Sequence, residues 1–274
     1  MAIITISRGS YSKGKDVAKL VADRLGYRCI AREVLLDASR EFNMPEIRLV
    51  RAIHDAPSIL DRFTHGKEKY ITSFRAAMLK QFAQDNVVYH GLAGHFFVKG
   101  ISHALKVRII ADMEDRVRTE MERMKLPREE ALRILKSDDE ERRKWSLNLY
   151  GIDTTDPSLY DLVIHIRKIK VEDAVDMICQ VVGMDRFRTT GESQRAVENM
   201  ALAAEVKAAL IEIDSDVEVS ANNGFVKVEI RVPIEEQEER VSEVGKILKS
   251  LAGVSDFDIK VLQKVKLTDG RLFP

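Results

Sequence analysis

Apolar positions along the first two thirds of the chain alternate between short runs and longer helical spacings, up to about residue 184. Runs at 3–7, 28–30, 86–90, 106–111 and 162–166 are short and rich in β-branched or apolar residues, which predicts strands. Between them apolar residues recur at three- and four-residue spacing. That pattern predicts helices over 15–25, 33–42, 68–84, 115–125, 129–149 and 171–182. The runs at 87–89 and 107–111 lack clean alternation, as expected of strands covered on both faces. Strands alternating with helices predict an α/β fold built on a parallel sheet with flanking helices. Ligands of such sheets bind beyond the carboxyl ends of the strands.

The pattern changes near Gly183. Residues 185–195 are polar, with Gly191 and two threonines, and read as a linker. Beyond it the chain predicts a helix over 196–211, a strand over 216–220, a turn at Asn222-Asn223-Gly224 and a strand over 226–232. A helix over 235–251 and a strand over 256–263 follow. Asn-Gly between alternating strands is a strong hairpin signal. Val226, Val228, Ile230 and Val232 alternate with Lys227, Glu229 and Arg231, so one face of that strand is wet. The division is therefore 1–184, a linker at 185–195, and a small α+β unit over 196–274.

Charge narrows the partners. Lys+Arg total 44 and Asp+Glu total 44, so net charge is zero and gives no reason to expect nucleic acid. Any anion site must be local. Cys29 and Cys179 show no metal spacing and read as reduced core thiols of a cytoplasmic protein. The N-terminus has no signal-peptide pattern, and no apolar run is long enough to predict a membrane span.

Local chemistry is concentrated where the first strand meets the first helix. Gly9-Ser10-Tyr11-Ser12-Lys13-Gly14-Lys15-Asp16 follows the strand at 3–7 and precedes the helix beginning at 15. Strand, G-x-x-x-x-G-K, helix is the context of a phosphate-binding loop. Backbone N–H groups of such a loop point inward, and the helix adds the positive end of its dipole. Lys15 would sit beside the β- and γ-phosphates, with Arg8 and Lys13 adding charge. The Ser or Thr that usually reaches Mg²⁺ is replaced by Asp16. Its carboxylate can take Mg²⁺ as a hard oxygen ligand. Equally, it can serve as a first-turn acid that stabilises the helix by about 0.3–1 kcal/mol.

A second charged region runs from Glu114 to Lys144 and includes Arg116, Arg142 and Arg143. One reading is a solvated helix face laced with i,i+4 ion pairs. The other is a lid whose arginines close over a transferring phosphoryl group, a reaction that depends on positioning and on neutralising the equatorial oxygens. Charge patterning does not choose. His90, His95 and His165 read as structural, and Trp145 as packed on the core.

Taken in order, Ile4-Thr-Ile-Ser-Arg8, Gly14-Lys15-Asp16, Val87-Val-Tyr-His-Gly91, Asp139-Glu-Glu-Arg142 and Asp156-Pro-Ser-Leu-Tyr160-Asp161 resemble the cytidylate kinase-like family of P-loop proteins. The resemblance covers roughly residues 1–184. It implies a P-loop NTPase-like sheet with a helical lid, and ATP with Mg²⁺ bound at Arg8 to Asp16. It implies that Arg116 lies along the ATP site, that Arg142 and Arg143 act from the lid beside Lys15, and that a small phosphate acceptor, CMP in the family, receives the phosphoryl group. The arm over 32–84 would bind that acceptor, with Arg32, Arg40 and Arg75 as candidates. Departures include Tyr11 and Lys13 within the loop, Ala31 for an acid, His165-Ile166-Arg167 for a polar run, and Leu92 where the family carries an arginine. The other expected reading is therefore a nucleotide-binding sensor with weak or no catalysis. Residues 196–263 resemble a BON domain, which implies an interaction module for a protein or small ligand; a homo-oligomer is compatible with either reading.

Overall fold

The computed structural model describes residues 1–31 and 66–263. Five parallel strands form the larger sheet, in the order β2-β3-β1-β4-β5. They are β1 (Ile3–Arg8), β2 (Arg28–Ile30), β3 (Val87–His90), β4 (Ala104–Ala111) and β5 (Leu162–Ile166). β1 is central because it is apolar toward both faces: Ile3, Ile4 and Ile6 have no solvent exposure. Side chains alternate across a strand, so Ile4 and Ile6 join one core while Ile3 joins the other.

The Ile4 side is covered by α1 (Gly14–Leu25) and α6 (Val171–Val182), through Val17, Val21, Val175 and Ile178. The opposite side takes α2 (Gly66–Phe82), α3 (Gly94–Phe97) and α5 (Arg128–Tyr150), through Phe74, Phe82, Phe97 and Trp145. Trp145 is packed on this core as its sequence context predicts, with its ring centroid 5.4 Å from that of Tyr150. α4 (Met113–Met124) precedes α5, and the two enclose a small cluster of Val117, Ala131 and Leu135. The helix predicted at 33–42 lies outside the described residues.

Two expectations need correction. β4 is not apolar on both faces. Val107 and Ile109 are buried, but Lys106 and Arg108 project half-buried from the other face, which forms a polar cleft there instead of packed core. Nor is Cys29 a core thiol: β2 is an edge strand, and Cys29 is exposed.

The second sheet orders β6 (Glu218–Asn222), β7 (Phe225–Val232) and β8 (Asp256–Gln263). β6 and β7 pair antiparallel, while β8 pairs parallel to β7 after α8 (Gln237–Ser250) crosses over. The hairpin turns at Asn223 and Gly224, with φ of 49° and 85°. That conformation suits Asn-Gly and matches the twist of the strands. Val226, Val228 and Ile230 are fully buried, so the predicted alternation is observed.

α7 (Gly191–Leu210) starts five residues earlier than its apolar pattern suggests, inside the stretch read as a linker. Thr190 and Ser193 form a capping box there, and residues before it are tied down. Thr189 N–H donates to Met1 O at 3.1 Å, and its hydroxyl donates to Asp85 at 2.7 Å. One set of α7 residues, Val197, Ala204 and Ala208, enters the α2 core. Val206 and Leu210 enter the core of the small sheet. A single helix thus belongs to two cores. No helix among the described residues is long and apolar enough to cross a membrane.

Sharing α7 should make unfolding cooperative. Phe82→Ala in the first core should cost about 3–5 kcal/mol and Leu248→Ala in the second about 2–5 kcal/mol. Both should shift the same single transition in urea denaturation followed by circular dichroism. Two transitions, each moved by one variant only, would refute the coupling.

Candidate functional site

The chain leaves β1 at Arg8, turns through residues 9–13 and enters α1 at Gly14. Gly14 is required by closeness: a Cβ there would stand 2.7 Å from Arg8 Cβ. Tyr11 and Lys13 take the left-handed conformation, with φ of 56° and 65°, which costs a non-glycine residue about 1–2 kcal/mol. The strain is held from outside the loop. Ser12 is buried, and its hydroxyl lies 3.0 Å from Gly9 O and 3.2 Å from Ile109 O, which fixes the loop to β4. Tyr11 does not crowd the loop's interior. Its ring packs against the Val117–Leu135 cluster under the Arg123 guanidinium, 4.8 Å from the ring centroid. Burial, with the nearby Glu120 carboxylate, pushes the Tyr11 hydroxyl pKa up.

Arg116 joins loop and lid. Its Nε–H donates to Ser10 O at 2.6 Å. Its two Nη groups meet the Asp139 carboxylate at 2.8 Å each, a bidentate pair whose arginine side chain is only 9% exposed. Ser10 Oγ adds a bond of 3.3 Å to Asp138. Helix α5 is thereby docked on the phosphate-binding loop, and the reading of 137–144 as merely a solvated face does not hold at Asp138 and Asp139.

Two cavities flank this junction. The outer one, about 350 Å³, is lined by Ser10, Tyr11, Lys13, Gly14, Lys15 and Asp16, with Arg8, Asp138 and Arg142. The first turn of α1 also brings N–H groups that have no helical acceptor. The inner one, about 370 Å³, lies beyond the carboxyl ends of β1 and β4. Arg8, Gly9, Ser12, Arg108, Arg116, Arg142 and Arg143 line it. Arg8 and Arg142 face both.

The guanidiniums differ in how they are paired. Arg143 is bound to Asp153 at 3.0 Å, with Glu140 at 3.9 Å. Arg116 is spent on Asp139. Arg8, Arg108 and Arg142 hold no ion pair among the described residues. Burial and the Arg142 charge lower the Arg8 pKa. His95, in the inner wall, is buried, and its ring packs at a tilt against those of Phe96 and Tyr160, with centroids 4.1 and 4.8 Å away. Burial, with the Arg108 charge, pushes its pKa down to about 3, so the ring is neutral near pH 7. His165 Nε2 lies 2.9 Å from the Asp112 carboxylate, away from the cavities.

Asp16 is exposed at the outer cavity with Asp138 nearby. No cluster of three or more His, Cys, Asp or Glu suited to a metal occurs among the described residues. One or two carboxylates beside a phosphate site are nonetheless the donor set Mg²⁺ uses when phosphate oxygens and water complete its shell. These residues fit Mg²⁺ carried in with a nucleotide, and do not fit a metal held by protein alone.

The residues Arg8 to Asp16, Arg116, Arg142 and Arg143 thus come together. Arg75 does not join them. It lines a groove between α2, α7 and β6 with Lys207 and Val219. Arg32 and Arg40 lie outside the described residues. Sequence reasoning did not single out Arg108, and it placed Asp138 and Asp139 only within a charged stretch. Arg108 carried a signal, a charge inside the apolar run Val107-Arg108-Ile109, since a buried charge needs a partner.

Residues 3–168 match the sequence profile of the cytidylate kinase-like family. A cytidylate kinase of Archaeoglobus fulgidus is 29% identical over 190 residues, which cover 68% of this chain and 97% of that one. A cytidylate kinase of Sulfolobus acidocaldarius is 26% identical over 181 residues, covering 65% and 93%. Among solved structures, an uncharacterized protein from Eubacterium ventriosum shares the fold, with a TM-score of 0.52 at 19% identity, over 66% of this chain and 98% of that one. With more than half its length matched and the loop, sheet and docked helix arranged as described, the chain belongs to the cytidylate kinase-like family.

Proposed function

We propose that the protein is a nucleotide kinase that transfers the γ-phosphoryl group of ATP to a nucleoside monophosphate, CMP being the acceptor its family relatives suggest. The observation that carries this reading is the pair of cavities with Arg8 and Arg142 common to both. A phosphoryl group in transit must be neutralised on both sides of its path, and catalysis of this kind consists of positioning and charge.

ATP occupies the outer cavity, with its phosphates on the loop from Gly9 to Asp16 and on Lys15. Mg²⁺ carried in with ATP would be held by Asp16 and would supply charge neutralisation to the phosphates. The acceptor occupies the inner cleft. An oxygen of its phosphate attacks the γ-phosphorus, the bond to the β,γ-bridging oxygen breaks, and ADP leaves with the electron pair. Lys15 stabilises the charge growing on that bridging oxygen, while Arg8 and Arg142 cover the equatorial oxygens. No general base is needed because the acceptor oxygen is already anionic, which agrees with the neutral His95. Arg116 binds the nucleotide indirectly, by holding Ser10 and the lid. Arg143, tied to Asp153, supports Arg142 on the lid.

The C-terminal unit is assigned a BON-like binding role, toward a protein or small ligand. One observation favours a second reading, a nucleotide sensor that signals through this unit: α7 belongs to both cores, so movement of α2 reaches the small sheet.

Lys15→Ala should lower turnover about 10²–10³-fold, or about 2.7–4 kcal/mol, in ADP release from ATP·Mg with a panel of nucleoside monophosphates. Unchanged turnover would sink the kinase. Saturable ATP binding without acceptor-dependent release would favour the sensor.

Arg142→Ala should lose at least about 10²-fold in kcat. Arg143→Ala should lose less than about tenfold, because an exposed ion pair contributes about 0–1 kcal/mol. Equal losses in steady-state kinetics would contradict the distinction between a free and a paired arginine.

A further inference from the structure

The inner cleft is lined by six cationic side chains and two acidic ones, Asp139 and Glu140. Both acids are engaged, by Arg116 and by Arg143 and Lys144. Of the cations, Arg8 and Arg142 are shared with the outer cavity. Arg108 lines the inner cleft and not the outer one.

Arg108 is set on the floor of that cleft. It stands in β4 opposite Ser7 of β1, one residue before Arg8. Its Nη1 donates to Thr154 O and lies 3.1 Å from Tyr160 Oη, and the guanidinium sits 5.5 Å from the Tyr160 ring centroid. Tyr160 Oη is itself 2.9 Å from Thr154 O and 3.2 Å from Ser7 Oγ. All these partners are neutral. The fork is therefore oriented, but its charge has no acidic partner among the described residues. Its Nε–H and Nη2–H have no hydrogen-bond partner among the described residues. A half-buried guanidinium without a counter-ion is costly alone and matches a bidentate oxyanion. The adjacent wall at Leu92 and Ala93 offers no charge to compete.

We propose that Arg108 is the acceptor-recognition residue, gripping the phosphate of a phosphomonoester through its free Nε–Nη2 edge while Tyr160 and Thr154 hold the fork in place. This deepens the acceptor side of the kinase reading and rests on it for the acceptor's identity. It assigns recognition to the anionic end of the acceptor. A phosphorylated compound therefore binds and its dephosphorylated counterpart does not.

The test is calorimetric titration of the full chain with CMP, cytidine and inorganic phosphate, and separately with a non-hydrolysable ATP analogue. Wild type should bind CMP and phosphate but not cytidine. Arg108→Met should weaken both about 10- to 100-fold, the size of a lost hydrogen bond to a charged group. ATP-analogue affinity should stay within about twofold. Arg108→Lys should recover part of the loss, since it restores charge without the fork. Tyr160→Phe, which keeps the charge and removes the prop, should raise the phosphate Kd less than Arg108→Met does and covers the case in which the methionine variant misfolds. Wild-type Kd values for CMP and phosphate in Arg108→Met would overturn the assignment, as would failure of wild type to bind either. A loss of turnover with binding intact would also overturn it. Arg108-dependent phosphate binding without acceptor-dependent ADP release would instead refute the kinase and leave the anion site standing.

Discussion

The bidentate pair between Arg116 and Asp139 is the contact on which the site depends. Three elements meet there: the phosphate-binding loop through Ser10 O, the start of α4, which carries Arg116, and α5, which carries Asp139. The contact ties together elements that are anchored separately, the loop to β4 through Ser12 and α5 to the main core through Trp145. The loop contains two left-handed non-glycine residues. α4 and α5 share only a small apolar cluster away from the main cores. A charge-assisted fork of fixed geometry sets their relative positions at this junction. The low exposure of the Arg116 side chain means that water competes poorly for its donors.

That clamp also sorts the arginines into two populations. Arg116 and Arg143 are paired with aspartates. Arg8, Arg108 and Arg142 form no ion pair among the described residues around the adjoining cavities, and the proximity of Arg142 contributes to the lowered pKa of Arg8. Like charges gathered this way oppose folding and are tolerated where an anion will enter. The energy that packing supplies elsewhere in the sheet holds them together, so the proposed phosphate site rests on hydrophobic cores on both faces of β1. Asp138 and Asp139 sit at the same junction. The lid is therefore already attached to the loop, and its arginines start close to the phosphates they are proposed to meet.

Helix α7 gives the small sheet its connection to this machinery. It begins in a polar stretch whose capping box and contacts to Met1 and Asp85 make it part of the larger unit. It then passes from one core to the other. The groove containing Arg75 lies along this seam, so that arginine belongs to the junction and not to the cleft.

Local sequence determined the elements and the loop. Spacing of apolar residues predicts the five parallel strands and the Asn-Gly hairpin because period and turn chemistry are properties of neighbouring residues. The Gly9–Asp16 loop is legible for the same reason, strand, loop and helix being contiguous. Residues far apart in sequence are another matter. That Tyr11 turns outward depends on α4 and α5, more than a hundred residues away. That Arg142 is free while Arg143 is paired depends on where Asp153 falls. The charge at Arg108 is visible in the sequence, but its half-buried place on the cleft floor follows from the position of β4 beside β1 and from Tyr160 beneath it. The start of α7 within the polar stretch was decided by capping and by contacts to Met1 and Asp85, which hydrophobic spacing does not encode. The sequence by itself determined which groups can carry charge and where the backbone cradles a phosphate. Only the tertiary structure decided which charges are cancelled, because cancellation depends on distances between elements that the chain brings together last.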